Sequence, residues 1–121
     1  MENIKTNMRT CETYNVTVWL GHRTGYSSTY TDSELVTREI SAWCKKVGQA
    51  VTMTHTKFVY VDGIEPGTAI GFINYPRYPK EKTEILDRAL ELGEILRTKF
   101  HQFRVSVVAP DTTYLLEDKE K

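Results

Sequence analysis

Residues 14–20 read YNVTVWL, and this stretch decides how the rest of the chain is interpreted. Apolar and polar side chains alternate along it, a pattern typical of a β-strand with one buried face. The faces carry Tyr14, Val16, Val18 and Leu20 on one side and Asn15, Thr17 and Trp19 on the other. The sequence therefore predicts a half-buried first strand whose second face presents Trp19.

A helix is predicted after the polar loop that follows this strand, residues 21–30. Thr31 and Glu34 form the Thr-x-x-Glu pattern of a capping box, in which two side chains bond free backbone N–H groups at a helix start. Apolar residues then recur at helical spacing up to Val47, and Gly48 is a residue type that commonly ends a helix. We expect the first helix to run from the capping box to Val47.

A hairpin is predicted next. Residues 50–61 and 68–75 are rich in β-branched and aromatic side chains, which favour strands. Their connection, residues 62–67, contains two glycines and Pro66, so it is longer than a tight turn and is expected to protrude.

The last third of the chain predicts a helix and a strand. An apolar stripe over residues 80–100 indicates the second helix, and residues 104–109 indicate a final strand that Pro110 halts. Residues 111–116 are expected to add a short extension.

The resulting order, strand, helix, strand, strand, helix, strand, indicates the α+β class. It matches the ferredoxin-like split βαβ arrangement (βαββαβ), an antiparallel four-stranded sheet with two helices on one face. The other sheet face is left open in such a fold. A large apolar side chain on an open face often marks an interface, so Trp19 predicts a homo-oligomer.

Length and charge limit the remaining possibilities. A chain of 121 residues has room for one domain, predicted over residues 14–121. Residues 1–13 are polar and have no apolar period, which predicts a flexible tail. Sixteen basic and sixteen acidic residues balance, which disfavours DNA, RNA and membrane partners. The start lacks the apolar centre of a signal peptide, so a cytoplasmic protein is expected.

No catalytic residue, metal site or cofactor is predicted. His22, His55 and His101 do not have the spacing of metal ligands, and no nucleophile elbow or phosphate-binding glycine motif occurs. The carboxylates on the predicted helices are interspersed with Lys and Arg, as on a solvated surface. The residues thus predict a binding protein and not an enzyme.

Ligand binding is predicted from residue types on the open face and in three loops. Aromatic rings can stack on a base, a guanidinium can neutralise a diphosphate, and hydroxyls and carboxylates suit ribose. The predicted site residues are Trp19 on the open face, Arg23 and Tyr26 after the first strand, Asn74, Tyr75, Arg77 and Tyr78 before the second helix, and Asp111, Thr112 and Thr113 after the last strand. Plain solvated loops are the alternative explanation.

The topology separates two of these loops. In a ferredoxin-like fold the loop after the first strand and the loop after the third strand lie at opposite ends of the sheet. Arg23 and Arg77 are therefore not expected to meet within one chain. A ligand that contacts both would bind between protomers.

Three segments suggest a family. They are residues 14–21 (YNVTVWLG), residues 62–67 (DGIEPG) and residues 73–79 (INYPRYP). In these segments the chain resembles the first described Thoeris anti-defence proteins of phages, often called sponges. The resemblance runs over about residues 14–116.

That resemblance implies a homo-oligomer in the cytoplasm of an infected bacterium. It would capture a cyclic ADP-ribose-type signal, glycocyclic ADP-ribose, made by bacterial TIR-domain enzymes, and would hold it between subunits without degrading it. Two alternatives stay open at this stage. One is a small enzyme that acts on a nucleotide, and the other is a protein-interaction module that uses the open sheet face.

Overall fold

The computed structural model describes residues 5–24 and 29–119. Its elements follow the predicted order and add one strand at the end. They are β1 (Asn15–Gly21), α1 (Ser33–Val47), β2 (Thr52–Tyr60), β3 (Gly63–Ile73), α2 (Lys82–Lys99), β4 (Arg104–Val108) and β5 (Thr113–Glu117). The predicted α+β class and the ferredoxin-like order are confirmed.

The sheet has five strands in the order β2-β3-β1-β4-β5, one more than predicted. The additional strand, β5, runs antiparallel to β4, with Val105 opposite Leu116. The Ala109 N–H donates to the Thr112 carbonyl at 2.9 Å, which closes the turn between the two strands. The sequence pattern treated this segment as an extension because a strand of five residues is too short for a clear period.

The hairpin of β2 and β3 is tighter than expected. Tyr60 pairs with Gly63, so the turn consists of two residues, and the predicted protruding connection is wrong. Pro66 lies within β3, where its carbonyl accepts the His22 N–H at 3.0 Å. The N and C=O of one strand residue point to the same side, so the missing donor of Pro66 faces the end of β1 and does not interrupt the β2 ladder.

The first helix begins one residue later than the capping box implied. Asp32, not Thr31, is the N-cap, and its carboxylate accepts the Glu34 N–H at 3.0 Å. Asp is as good an N-cap as Thr because its oxygen reaches the same free backbone donors. The helix ends, as predicted, at Gly48, which adopts a left-handed conformation with φ of 72°.

Both helices cover one face of the sheet, as predicted. β1 turns Val16, Val18 and Leu20 toward them, and all three side chains are completely buried. Trp43 of α1 packs edge-on against Phe72 of β3, with ring centroids 6.1 Å apart. Within residues 5–24 and 29–119, neither helix is long and apolar enough to cross a bilayer.

The uncovered face has an unusual stripe of small residues. Gly67, Ala69 and Gly71 of β3 alternate along it between β2 and β1. A Cβ on Gly67 would lie 2.3 Å from a ring carbon of Phe58 and 2.7 Å from the Leu20 carbonyl oxygen. The missing side chain at Gly67 therefore lets Phe58 lie flat across the sheet.

This packing predicts a difference between two glycines of the same strand. Gly67→Ala would clash with backbone, which cannot rotate away, so we expect a loss of roughly 1–3 kcal/mol in unfolding free energy or more. At Gly71 the added Cβ would meet only the Thr52 hydroxyl, at 2.5 Å, and that side chain can rotate. Urea unfolding of both variants should show the smaller loss for Gly71→Ala; equal losses would contradict the packing argument.

Candidate functional site

A pocket of about 430 Å³ opens on the uncovered sheet face. Its size is within the range of small-molecule sites. It is lined by Trp19, Gly21, Phe58, Tyr60, Glu65, Gln102, Arg104 and Ser106. We call this the face pocket.

The pairing of the strands brings these residues together from β1, β2, β3 and β4 and from the segment before β4. Phe58 lies directly opposite Glu65 in the β2–β3 hairpin. Trp19 of β1 lies opposite Ser106 of β4. Because side chains alternate along a strand, all four point to the uncovered face.

Glu65 is held in place at the end of β1. Its Oε2 accepts the Arg23 N–H at 3.0 Å. A Cβ on Gly21 would lie 2.8 Å from the same oxygen, so a side chain there would displace the carboxylate from this position. Gln102 completes this arrangement by donating from Nε2 to the Arg23 carbonyl at 2.6 Å. The carboxylate is thus fixed in one position at the wall of the pocket.

Aromatic rings form the rest of the wall. Trp19 and Phe58 meet edge to face, with centroids 6.3 Å apart and planes at 75°. Tyr60 lines the same pocket from the end of β2. Arg104 supplies a positive charge, and its ion pair with Glu117 is long, at 3.8 Å, between side chains that are mostly exposed. Such a pair is weak, so Arg104 can bind a ligand anion.

The face pocket therefore combines aromatic rings, a hydrogen-bonded carboxylate and a guanidinium whose ion pair is weak. Those groups suit a purine, a cation and a carboxylate of one ligand, respectively. No cluster of three or more metal-ligating side chains occurs in the described part of the chain.

A second cavity lies at the edge of the sheet, beside the start of α1. Its volume is about 750 Å³, and we call it the edge cleft. It is lined by His22, Thr31, Ser33, His55, Thr56, Lys57, Pro66 and Gly67. His22 is only 3% exposed, and its Nε2 lies 2.8 Å from the Thr68 hydroxyl. Burial lowers the pKa of His22, and the neighbouring His55 lowers it further, while Glu65 opposes the shift.

The predicted site residues after β1 have different outcomes. Trp19 lines the face pocket, as its predicted position on the open face requires. Arg23 lies beside the pocket, where its backbone N–H and carbonyl bond Glu65 and Gln102. Its buried Nε has no partner within residues 5–24 and 29–119. Tyr26 lies outside the described residues.

The other predicted residues lie at the opposite end of the sheet. Gly21 pairs with Gly67 at one end of β1 and Asn15 pairs with Ile73 at the other, which confirms that Arg23 and Arg77 are separated. These far-end residues are Asn74, Tyr75, Arg77, Tyr78, Asp111, Thr112 and Thr113. None of them lines the face pocket. Their role in binding stays a prediction.

Asn74 has a structural role that the sequence did not indicate. Its side-chain amide donates to the Glu12 carbonyl at 2.8 Å and its side-chain oxygen accepts the Lys80 N–H at 2.9 Å. Its backbone N–H donates to the Tyr14 carbonyl at 3.2 Å. Asn74 thus fastens the segment before β1 to the segment before α2. The predicted boundary of the domain at residue 14 is not tested by these contacts.

The segment between Asn74 and α2 is compact. Tyr78 donates its N–H to the Tyr75 carbonyl at 2.9 Å, which closes a turn. The Arg77 guanidinium lies 5.4 Å from the centroid of the Tyr78 ring. Thr112 donates its hydroxyl to Asp111 at 3.3 Å, so the carboxylate and hydroxyl predicted to bind ribose bond each other.

Sequence reasoning missed most of the face pocket. Glu65 was assigned to a protruding loop, and Phe58 and Tyr60 were treated only as strand formers. The Asp62-Gly63 pair does indicate a turn at this position. The turn residues are Val61 and Asp62, however, and this register, which the sequence did not indicate, places Glu65 opposite Phe58 and both on the Trp19 face. Gln102 and Arg104 had no comparable signal, because only the pairing of β4 with β1 brings them near.

The fold and the face pocket define a class, an α+β domain with a small-molecule pocket on the uncovered face of its sheet. Two solved structures with this fold are those of a phage SAM lyase. The apo lyase matches with a TM-score of 0.72 and 20% identity over 89% of this chain and 91% of that chain. The lyase in complex with S-methyl-5′-thioadenosine matches with a TM-score of 0.74 and 20% identity over 93% and 95%. No family model matches the sequence, and no curated protein matches it significantly.

This likeness corrects two predictions. The sponge that sequesters glycocyclic ADP-ribose and the absence of enzymatic activity are both contradicted, because the two solved structures reported above, which match nearly the whole chain, are those of a lyase. A fold shared at 20% identity does not itself assign an activity to this chain. The resemblance to the Thoeris sponge family is not tested by these matches.

The lowered pKa of His22 predicts a pH-dependent stability. The folded chain binds a proton at His22 less readily than the unfolded chain, whose histidines titrate near about pH 6.5. The stabilisation that comes from the neutral His22 is therefore complete above the pKa of histidine in the unfolded chain. It is lost as the pH falls toward the lower pKa of His22 in the folded chain. Urea unfolding at about pH 7.5 and about pH 5.5 should show a smaller pH effect in His22→Gln than in the wild type.

The matched control is His101, which is exposed and has a φ of 54°. Asn tolerates this conformation, so His101→Asn should keep the pH effect of the wild type. Loss of the effect in His101→Asn, or its full retention in His22→Gln, would contradict the assignment to His22.

Proposed function

We propose that this chain is a lyase that cleaves S-adenosylmethionine in the face pocket and releases S-methyl-5′-thioadenosine. One observation carries the proposal, the fixed carboxylate of Glu65 among the rings of Trp19, Phe58 and Tyr60. The fold shared with a phage SAM lyase and with its complex with S-methyl-5′-thioadenosine supports it.

The charges of the face pocket match this substrate. S-adenosylmethionine carries a positive sulfonium, a positive ammonium group, a carboxylate and a flat adenine. Glu65 can attract the positive groups, Arg104 can bind the carboxylate, and the aromatic rings can pack on the adenine. The edge cleft is unsuited, because Lys57 and two histidines line it and no carboxylate does.

The chemistry requires no metal or external nucleophile. Release of S-methyl-5′-thioadenosine breaks the bond between sulfur and the γ-carbon of the methionine part, and the electron pair returns to sulfur. A lyase adds no water across the broken bond, so the remaining four-carbon fragment leaves as a lactone, closed by attack of its own carboxylate on the γ-carbon, or as an unsaturated amino acid, when solvent accepts a proton from the β-carbon. Homoserine, which contains one more water, is not expected.

The role of Glu65 follows from the loss of positive charge at sulfur during the reaction. The sulfonium is positive in the substrate and neutral in the product, so a nearby carboxylate attracts the substrate more than it assists departure from sulfur. Apolar rings, in contrast, favour a step that removes charge, because they do not solvate ions. We therefore assign binding and orientation to Glu65 and exclusion of water to Trp19 and Phe58.

We also propose that the protein is a homo-oligomer that acts in the cytoplasm of an infected bacterium. The uncovered face carries several exposed apolar side chains beyond the pocket, among them Ile73, Val108 and Leu115, which is 51% exposed. The chain has sixteen basic and sixteen acidic residues, so no net charge repels a second copy of the chain.

The first test is a kinetic assay of Glu65→Gln. Incubation of the wild type with S-adenosylmethionine should release S-methyl-5′-thioadenosine, measured by chromatography with mass detection. Loss of a charge-assisted contact of about 1.5–3 kcal/mol should lower kcat/KM by roughly ten- to a hundredfold, mainly through KM. Glu84→Gln, on the surface of α2, is the control and should match the wild type.

Three outcomes bear on the proposal. No release of S-methyl-5′-thioadenosine by the wild type overturns the proposed reaction. If homoserine is the second product, the reaction is a hydrolysis and the chain is a hydrolase instead of a lyase. If Glu65→Gln releases S-methyl-5′-thioadenosine as fast as the wild type, the proposed reaction stands, but its assignment to Glu65 and the face pocket is wrong.

The oligomer is tested by light scattering at micromolar concentration. We expect a mass that is a multiple of 14.0 kDa. Leu115→Lys places a charge on the uncovered face outside the pocket and should reduce that mass. A wild type that is entirely monomeric would contradict the proposed association.

A further inference from the structure

The edge cleft has the opposite chemistry to the face pocket, and the proposed function does not use it. Its floor is rigid. The His22 ring bonds Thr68, the His22 N–H donates to the Pro66 carbonyl at 3.0 Å, and the His22 carbonyl accepts the Thr31 N–H at 2.7 Å. A histidine fixed by three hydrogen bonds keeps one orientation at the base of the cavity.

The wall of the edge cleft is basic. His55 and Lys57 stand two residues apart in β2, so their side chains emerge on the same side of the strand. Lys57 forms no ion pair within the described ranges, 5–24 and 29–119. Its charge is therefore free to attract an anion.

Hydroxyl groups complete the lining. Thr31 and Ser33 flank the start of α1, and both line the cavity. Asp32, the acidic residue between Thr31 and Ser33, does not line the cavity, since its carboxylate caps the helix at the Glu34 N–H. Glu65, the other nearby carboxylate, is bonded to the Arg23 N–H. No carboxylate of the described residues therefore lines the cleft, and the nearby charge of Glu65 reaches only its base, where it opposes the lowering of the His22 pKa.

From this combination we propose that the edge cleft is a second binding site, which takes the phosphate group of a small phosphorylated molecule. Lys57 supplies the charge, and the hydroxyls and the His22 and His55 rings supply hydrogen-bond donors around the phosphate oxygens. The volume of about 750 Å³ is far larger than a phosphate ion needs, so the site has room for the organic part of the ligand.

This site is independent of the proposed lyase activity. The cavities lie on opposite sides of β3, because successive residues of a strand alternate, with Glu65 lining the face pocket and Pro66 lining the edge cleft. A phosphate ligand would be repelled by Glu65, and the cationic substrate would be repelled by Lys57. The two ligands should therefore not compete.

The test is calorimetric titration of the full chain with inorganic phosphate, AMP and adenosine. We expect AMP to bind more tightly than phosphate and adenosine to bind at least tenfold more weakly than AMP. Lys57→Gln should weaken AMP binding roughly tenfold or more, since a charge-assisted contact is lost. The control, Lys45→Gln, removes an equal charge from the exposed last turn of α1 and should leave AMP binding unchanged.

His55→Gln is a second variant that keeps hydrogen bonding but removes the ring, and it should also weaken AMP binding. Equal affinities for AMP and adenosine would overturn the proposal, as would an effect of Lys45→Gln as large as that of Lys57→Gln. An absence of AMP binding by the wild type would overturn it too. Titration of AMP into Glu65→Gln separates the two sites, because loss of the lyase activity there should leave AMP binding intact.

Discussion

The pairing of Gly21 with Gly67 is the contact on which both cavities depend. At this point two neighbouring strands lack side chains on the uncovered face, so larger groups from nearby positions can lie across the backbone. The Phe58 ring occupies the space over Gly67, and the Glu65 carboxylate occupies the space over Gly21. Directly beyond this pair, His22 turns to the other side of the sheet and bonds Thr68. A side chain at either glycine would displace one wall of the site.

Strand alternation then separates the charges of the molecule. Successive residues of β2 point to opposite sides, so Phe58 reaches the face pocket while Lys57 reaches the edge cleft. The same alternation sends Glu65 to one side of β3 and Pro66 to the other. A chain with a formal net charge of zero thus carries two cavities with different linings, one with Glu65 and Arg104 beside aromatic rings and one with Lys57 beside hydroxyls and histidines. The net charge of the chain does not indicate this difference between the two cavities.

The predicted sponge function is contradicted, whereas the predicted site residues stay a prediction. An aromatic platform, a guanidinium and polar groups were expected, and Trp19 belongs to such a site. The loops chosen for the remaining groups lie at the far end of the sheet, where Asn74 fastens the chain to itself. The groups of the face pocket, Glu65 among aromatic rings, have no characteristic spacing in the sequence, so no motif indicated them.

Local pattern by itself determined the fold class, because alternation in β1 and the apolar stripes of the helices depend only on neighbours in sequence. It also determined that Trp19 faces away from the helices. Tertiary structure decided the site. Glu65 accepts the Arg23 N–H and Gln102 donates to the Arg23 carbonyl, so residues 42 and 79 positions from Arg23 meet through hydrogen bonds that no local pattern records. The fifth strand was decided in the same way, since so short a segment becomes a strand only when β4 offers it free backbone groups to pair with.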